Sequence, residues 1–218
     1  GRDKMIRSGA YSKDDADSAD AAVSGWEGLQ KAVDRNFTYL KRMQLLEAMK
    51  AQAAIPDIER HLALGRKVVV FHDYNVGGAS SPFLVDAPDA SVKAAAAQMN
   101  QDLPWLKKLD FGHLTAPKEQ ILNHFGAKAV EYNGTVPPKA RRAARDAFND
   151  DAGDVRVIVV QSDAGSGGIS LHDTTGAHQR VLINLGMPTK PTTTLQAEGR
   201  TRRVGSVSDA PYRYYTIG

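Results

Sequence analysis

Cysteine is absent from the 218 residues. Its absence excludes a disulfide framework, a thiolate metal site and a cysteine nucleophile, and it fits a reducing compartment. Long apolar runs are missing as well. One of the longest, Val155 to Val160, is broken by Arg156, whereas a bilayer-spanning helix needs roughly 18 apolar residues. A transmembrane helix is therefore excluded. No basic-then-apolar leader opens the chain, which starts at Gly1 rather than Met, and this reads as a piece of a longer protein. Histidine occurs at 61, 72, 113, 124, 172 and 178 without HExxH or a regular ligand spacing. No metal site is expected, and the neighbours His172 and Asp173 do not make one by themselves. Nor is one charge in large surplus: 28 Lys and Arg against 25 Asp and Glu leave +3, weak evidence by itself for a nucleic-acid partner.

The charge that exists is local. Between Lys190 and Arg213 five basic residues (Lys190, Arg200, Arg202, Arg203, Arg213) stand against two acidic ones (Glu198, Asp209), a surplus equal to that of the whole chain. With 42% hydrophobic and 24% charged residues, the chain has the profile of a soluble globular protein with one large domain. Residues 3–25 are rich in Asp, Ser, Ala and Gly. Such a composition buries too little apolar surface to offset ordering entropy, which predicts a flexible arm or linker over residues 1–35. From Phe37 to Leu64, apolar residues such as Leu40, Met43, Leu46 and Met49 recur at helical intervals. Pro56 is expected to break that helix in two.

Beyond Gly65 the pattern changes to short β-branched runs: Lys67 to His72, Lys128 to Tyr132, Val155 to Val160, Arg180 to Leu185 and Tyr212 to Ile217. Nearly continuous apolar runs are what strands buried on both faces require. Helical stretches alternate with them at Lys118 to Phe125, Pro138 to Asn149 and Thr193 to Val204. This alternation predicts an α/β domain with a mainly parallel sheet over residues 36–218. Residues 75–126 are long for one crossover and carry their own apolar set, including Phe83, Trp105, Leu106 and Phe111. They are expected to form an insertion packed on the sheet.

In such a sheet, ligands bind outside the carboxyl ends of the strands. Three stretches there carry candidate chemistry. The strand ending at Val160 runs into Gln161-Ser162-Asp163-Ala164-Gly165-Ser166-Gly167-Gly168-Ile169-Ser170. Its glycines let the backbone approach a ligand and its amides can hold phosphate, although a tight strand-to-helix turn would use the same glycines. No Lys-Ser or Lys-Thr follows, so it is not a Walker A loop, and Ser166 sits directly between two glycines, so it is not a serine elbow. After the strand near Leu185 comes Leu195 to Gly205. At about 100° per residue, Gln196, Arg200 and Arg203 share one helical face and Arg202 points elsewhere. Two guanidiniums and an amide suit a polyphosphate. A solvated basic face is the plainer reading. Gly199 counts against it, because glycine costs about 1 kcal/mol inside a helix and points to a close approach by something. The third stretch is Glu131 to Pro138, with Thr135 expected as the N-cap of a helix that carries Arg141, Arg142 and Arg145.

In this order the stretches resemble the C-terminal RecA-like domain of superfamily two helicases and translocases. Val68 to Tyr74 is similar to motif IV, and Asn133-Gly134-Thr135 through Arg141 to Phe148-Asn149 to the stretch before motif V. Ser162 to Ser170 is similar to motif V, and Gln196-x-x-Gly199-Arg200-x-x-Arg203-x-Gly205 to motif VI. The resemblance covers about Leu40 to Gly218. Gln196 and the small polar Ser170 look more like the Swi/Snf and strawberry-notch branches, which act on duplex DNA, than like DEAD-box RNA helicases, which carry His and Asp there. Swi/Snf proteins in turn usually have Lys where Asp163 stands and a His-Arg pair before the last arginine.

The resemblance implies a three-layer RecA-like α/β domain with an N-terminal helical segment. It makes Arg203 the arginine finger that reaches the γ-phosphate of ATP, with Arg200 beside it and Gln196 coupling nucleotide state to domain closure. Gly168, Ser170 and Gly199 fall on the nucleotide side. His72, Gly134, Thr135, Arg141, Ser162, Asp163 and Gly165, with the amides of Ala164 to Gly167, fall on the nucleic-acid backbone. ATP and Mg2+ would be bound mainly by the N-terminal RecA-like domain of the same polypeptide, because no G-x-x-x-x-G-K-[ST] or D-E-x-[HD] occurs here. The implied partners are that domain and duplex DNA, with no membrane, in the cytoplasm or on the nucleoid. Three alternatives stay open: an RNA helicase half, an idle RecA-like module that binds nucleic acid or protein, and a Rossmann-type transferase built on Gly165 to Gly168. The last lacks an acidic ribose ligand at Leu185-Gly186.

Overall fold

In a computed structural model of the chain, residues 13–78, 85, 89–109, 111–165, 168–186 and 191–216 are described. The β-branched runs form five strands: β1 (Lys67–His72), β2 (Ala129–Tyr132), β3 (Val157–Gln161), β4 (Arg180–Asn184) and β5 (Tyr212–Tyr214). All are parallel, in the order β2-β3-β1-β4-β5, with Val68 level with Val157 and Val181. The fifth strand is shorter than expected, and Ile217 lies outside the described residues.

Helices cover both faces because each strand alternates its side chains. On one face lie α2 (Tyr39–Ala63) and α4 (Pro117–Phe125), where Ala51, Ala54, Ile58 and Ile121 pack on Val68, Val70, Val157, Val159, Val181 and Ile183. On the other lie α5 (Pro138–Asn149) and α7 (Pro191–Thr201), where Phe148 and Ala197 pack on Val69, Phe71, Ile158, Val160 and Leu182. Between β3 and this second layer sits a single helical turn, α6 (Ser162–Gly165). The result is the expected three-layer α/β fold with a parallel sheet. Each fully buried valine of β1 contributes about 1.5–3 kcal/mol relative to exposure.

Pro56 does not break α2, which runs unbroken through it. The buried stripe Leu45, Ala48, Ala51, Ala54 and Ile58 continues past Pro56 on the sheet side, whereas Pro56 and Gln52 are exposed, so the carbonyl that the proline leaves unbonded can be hydrated.

The amino edge of the sheet carries buried charge. Lys67 Nζ donates to the carbonyls of Phe148 and Asp150 at 2.6 and 2.8 Å and pairs with Asp151 at 3.1 Å. Arg180 Nη2 reaches the same carboxylate at 3.0 Å, and both cations lie over the Phe148 ring.

The chain divides into two compact units, residues 1–42 with 79–113, and residues 43–78 with 114–218. In the first unit, α1 (Lys13–Asn36) and α3 (Ala90–Asp102) pack together. A flexible arm was the expectation for most of that segment; the structure makes it a helix. Small residues are the physical reason, since a Cβ on Gly25 or Gly28 would lie 2.5 Å from Ser91 O or Val92 Cγ2. Close backbone approach supplies the contact that large apolar side chains would otherwise provide. Asp89 caps α3 by accepting from Ser91 N. The expected insertion over 75–126 also divides differently: residues 79–113 join α1, and α4 belongs to the sheet through Ile121. Among the described residues no helix is long and apolar enough to cross a membrane.

Candidate functional site

The carboxyl ends of β1, β2 and β3 are neighbours, and their loops are tied to one another. Ser162 Oγ donates to His72 O at 3.2 Å, and Gly134 N donates to Gln161 Oε1 at 3.4 Å. The ledge so formed carries exposed Gly134, Thr135 and Asp163, half-buried Ser162, and Arg141, whose guanidinium lies 5.8 Å from the Tyr132 ring centre.

Several expectations on this ledge are corrected. Thr135 does not cap α5, which begins at Pro138 with Pro137 as a cap that makes no side-chain bond. Thr135 instead donates through N and Oγ1 to Asn133 Oδ1, at 2.8 and 2.6 Å, and Val136 N joins at 3.2 Å. Asn133 is fully buried and its Nδ2 donates to Glu131 Oε2, which also takes Lys118. Asn133 is expected from sequence only as part of the motif stretch, although an Asn-Gly pair after a strand is a signal for such a turn. His72 is 1% exposed and does not reach the surface. Burial, partly opposed by the Tyr74 carbonyl that faces Nδ1 at 3.1 Å, pushes its pKa down to about 4. A neutral, buried imidazole is not placed to meet a phosphate. Gly165 has a packing explanation, because a Cβ there would lie 2.8 Å from Phe71 and 2.9 Å from Val160. Ser166 and Gly167 lie outside the described residues. Gly168 has φ +87, which side-chain-bearing residues rarely adopt.

A second cluster forms where the segment after Gly168 meets the end of α7. Leu171 N donates to Arg200 O at 2.9 Å, and Arg203 Nη1 donates to Ser170 Oγ at 2.5 Å. Asn149, the last residue of α5, donates from Nδ2 to Ser170 O at 3.0 Å. Gln196 is exposed and Arg200 is buried on this helix. Arg203 does not share their helical face: α7 ends at Thr201, and Arg203 starts a turn in which its N–H and carbonyl both bond Ser206. It reaches Ser170 from that turn. Burial, and then the charge of Arg203, lower the pKa of Arg200. Among the described residues nothing approaches Gly199, since a Cβ there meets no atom within 4 Å. Arg202, as expected, points elsewhere and meets exposed Asp209 at 3.5 Å.

The crevice between β1 and β4, where the strand order reverses direction, is filled from within. Lys50 Nζ donates to Leu185 O at 3.1 Å, and Glu47 accepts from Asp73 N and Tyr74 N at 2.7 and 2.8 Å. Burial outweighs these two bonds and raises the Glu47 carboxyl to about 7. The Asp73 carboxylate leaves no room for a side chain at Gly186.

Residues 104–205 match the family model of the helicase conserved C-terminal domain. That stretch, a little under half of the chain, is similar to a helicase C-terminal domain. The matched stretch takes in every candidate site residue except His72. No curated protein matches the chain. Among solved structures, the C-terminal part of the Fun30 ATPase domain is similar at a TM-score of 0.48 and 16% identity, over 76% of this chain. This chain spans 40% of that one. In the sheet-bearing unit, then, the candidate loops fall into two groups, the ledge at the carboxyl edge and the cluster of Ser170 with the two arginines.

Proposed function

We propose that this chain is the second motor domain of an ATP-driven DNA helicase or translocase, inactive without an N-terminal RecA-like domain. One observation carries the reading: the Leu171–Arg200 and Ser170–Arg203 bonds join the segment after Gly168 to the arginine pair. Two neighbouring guanidiniums, one of them lowered in pKa by burial and then by the other's charge, fit a polyanion. In this reading Arg203 is the finger on the γ-phosphate, Arg200 stands beside it, and Gln196 couples nucleotide state to closure, with Gly168, Ser170 and Gly199 on the nucleotide side. ATP with Mg2+, held mainly by the N-terminal RecA-like domain, supplies the free energy for movement. Gly134, Thr135, Arg141, Ser162 and Asp163 line the nucleic-acid side, where backbone contacts are sequence-blind and salt-sensitive. Duplex DNA is the proposed substrate, in the cytoplasm or on the nucleoid. The Rossmann-type transferase needs the β1–β4 crevice that Lys50 and Glu47 occupy.

The test is ATP turnover. The isolated chain is expected to show none, and the same chain joined to its N-terminal RecA-like domain is expected to turn over ATP faster with duplex DNA present. Robust turnover by the isolated chain, free of contaminating ATPase, overturns the reading. Stimulation by RNA but not by DNA assigns the other substrate.

A further inference from the structure

Arg203 stands beyond the end of α7, exposed, on a turn of its own. A guanidinium on a long stem loses considerable rotamer freedom when it is fixed. Here it meets a neutral group, the Ser170 hydroxyl. That hydroxyl is itself held in place, because Asn149 Nδ2 donates to the Ser170 carbonyl and the next residue, Leu171, is bonded to Arg200 O. Asn149 makes incomplete use of its amide. Its Oδ1 is buried and, among the described residues, nothing donates to it. An unsatisfied buried oxygen is destabilising, and an apolar residue of similar volume would avoid it. What the asparagine supplies, and an apolar residue would not, is a fixed main chain at Ser170.

We propose that Asn149 and Ser170 are positioning residues that set the direction of the Arg203 guanidinium before nucleotide arrives. The inference rests on the reading of Arg203 as the finger. A guanidinium already oriented loses less freedom on meeting the γ-phosphate, and the gain falls on turnover rather than on ATP binding.

The test uses the full-length protein with saturating duplex DNA, and single turnovers for the slow variants. Ser170→Ala removes one hydroxyl and lowers kcat about tenfold, as expected for one hydrogen bond to a charged group, with KM for ATP within about twofold of the parent. Ser170→Thr keeps the hydroxyl and restores kcat. Asn149→Ala shifts kcat in the same direction; if thermal melting finds it unfolded, the Ser170 pair decides. The double variant Ser170→Ala with Arg203→Ala is no slower than Arg203→Ala, because the hydroxyl acts through the guanidinium. A further loss in the double variant, an unchanged kcat in Ser170→Ala, or a rise in KM alone overturns the positioning role. Full turnover by Arg203→Ala is a different result and overturns the finger reading itself.

Discussion

Two pairs of neighbouring cations in the sheet-bearing unit have opposite surroundings. Lys67 and Arg180 are closed on Asp151 at 3.1 and 3.0 Å, with Phe148 beneath both. Arg203 meets a serine hydroxyl, and its charge depresses the already buried Arg200. The first pair is neutralised by the chain itself, so its charge serves the architecture. In the second pair burial, and then the charge of Arg203, lower the pKa of Arg200.

The largest expected effect tests the second pair. In the full-length protein, Arg203→Ala lowers ATP turnover by about 10³ to 10⁵, the range for arginine fingers, while ATP binding and the melting temperature of the chain stay near the parent's. Loss of folding would make Arg203 structural and erase the contrast.

The first pair predicts the reverse. Asp151→Ala leaves two buried cations facing each other and destabilises by about 3–5 kcal/mol, read by thermal or urea unfolding. Burial raises the Asp151 pKa, but the bonds from Thr175, Lys67 and Arg180 outweigh it and hold the carboxyl at about 2, below its ordinary 3.8. The folded state therefore favours the charged form. Its stabilisation is present above the ordinary value and is lost as pH falls through about 2. An unchanged acid transition in Asp151→Asn would break the assignment.

Glu47 should have the opposite sign. Its folded pKa of about 7 lies above the ordinary 4.5, so the folded state favours the neutral acid. That contribution is complete below 4.5 and is lost as pH rises through about 7. Glu47→Gln should flatten the stability profile across this window, and a profile unchanged by the substitution would mean that other groups set it. The smallest effect belongs to Arg202, whose exposed pairing with Asp209 predicts a change within about 0.5 kcal/mol for Arg202→Ala and near-parental turnover. Equal losses at Arg202 and Arg203 would turn the arginine pair into a diffuse basic patch.

Much of the fold was legible in the sequence because backbone period is a local property. β1 and α5 occur with the expected bounds, Lys67–His72 and Pro138–Asn149, since a continuous β-branched run and a capless but amphipathic basic helix both repeat their signal at every residue. The candidate site was legible only as residue types in order; that Arg203 meets Ser170 was not. Expectations that depended on what lies across from a residue did not hold. Pro56 was expected to break a helix that burial on its other side holds together. The arm was expected from composition alone, and the partner α3 makes Gly25 and Gly28 into contact surface.

By itself, then, the sequence determined the alternation of strand and helix, the absence of disulfide chemistry, and the presence of the motif residues at their spacings, all properties of neighbours along the chain. The tertiary structure alone decided that His72 is buried and neutral and that Asn133 rather than Thr135 organises its loop. It also decided that Arg203 reaches Ser170 from beyond the helix end, and that Lys50 and Glu47 close the β1–β4 crevice. These depend on desolvation and on hydrogen-bond partners distant in sequence, which no local pattern records.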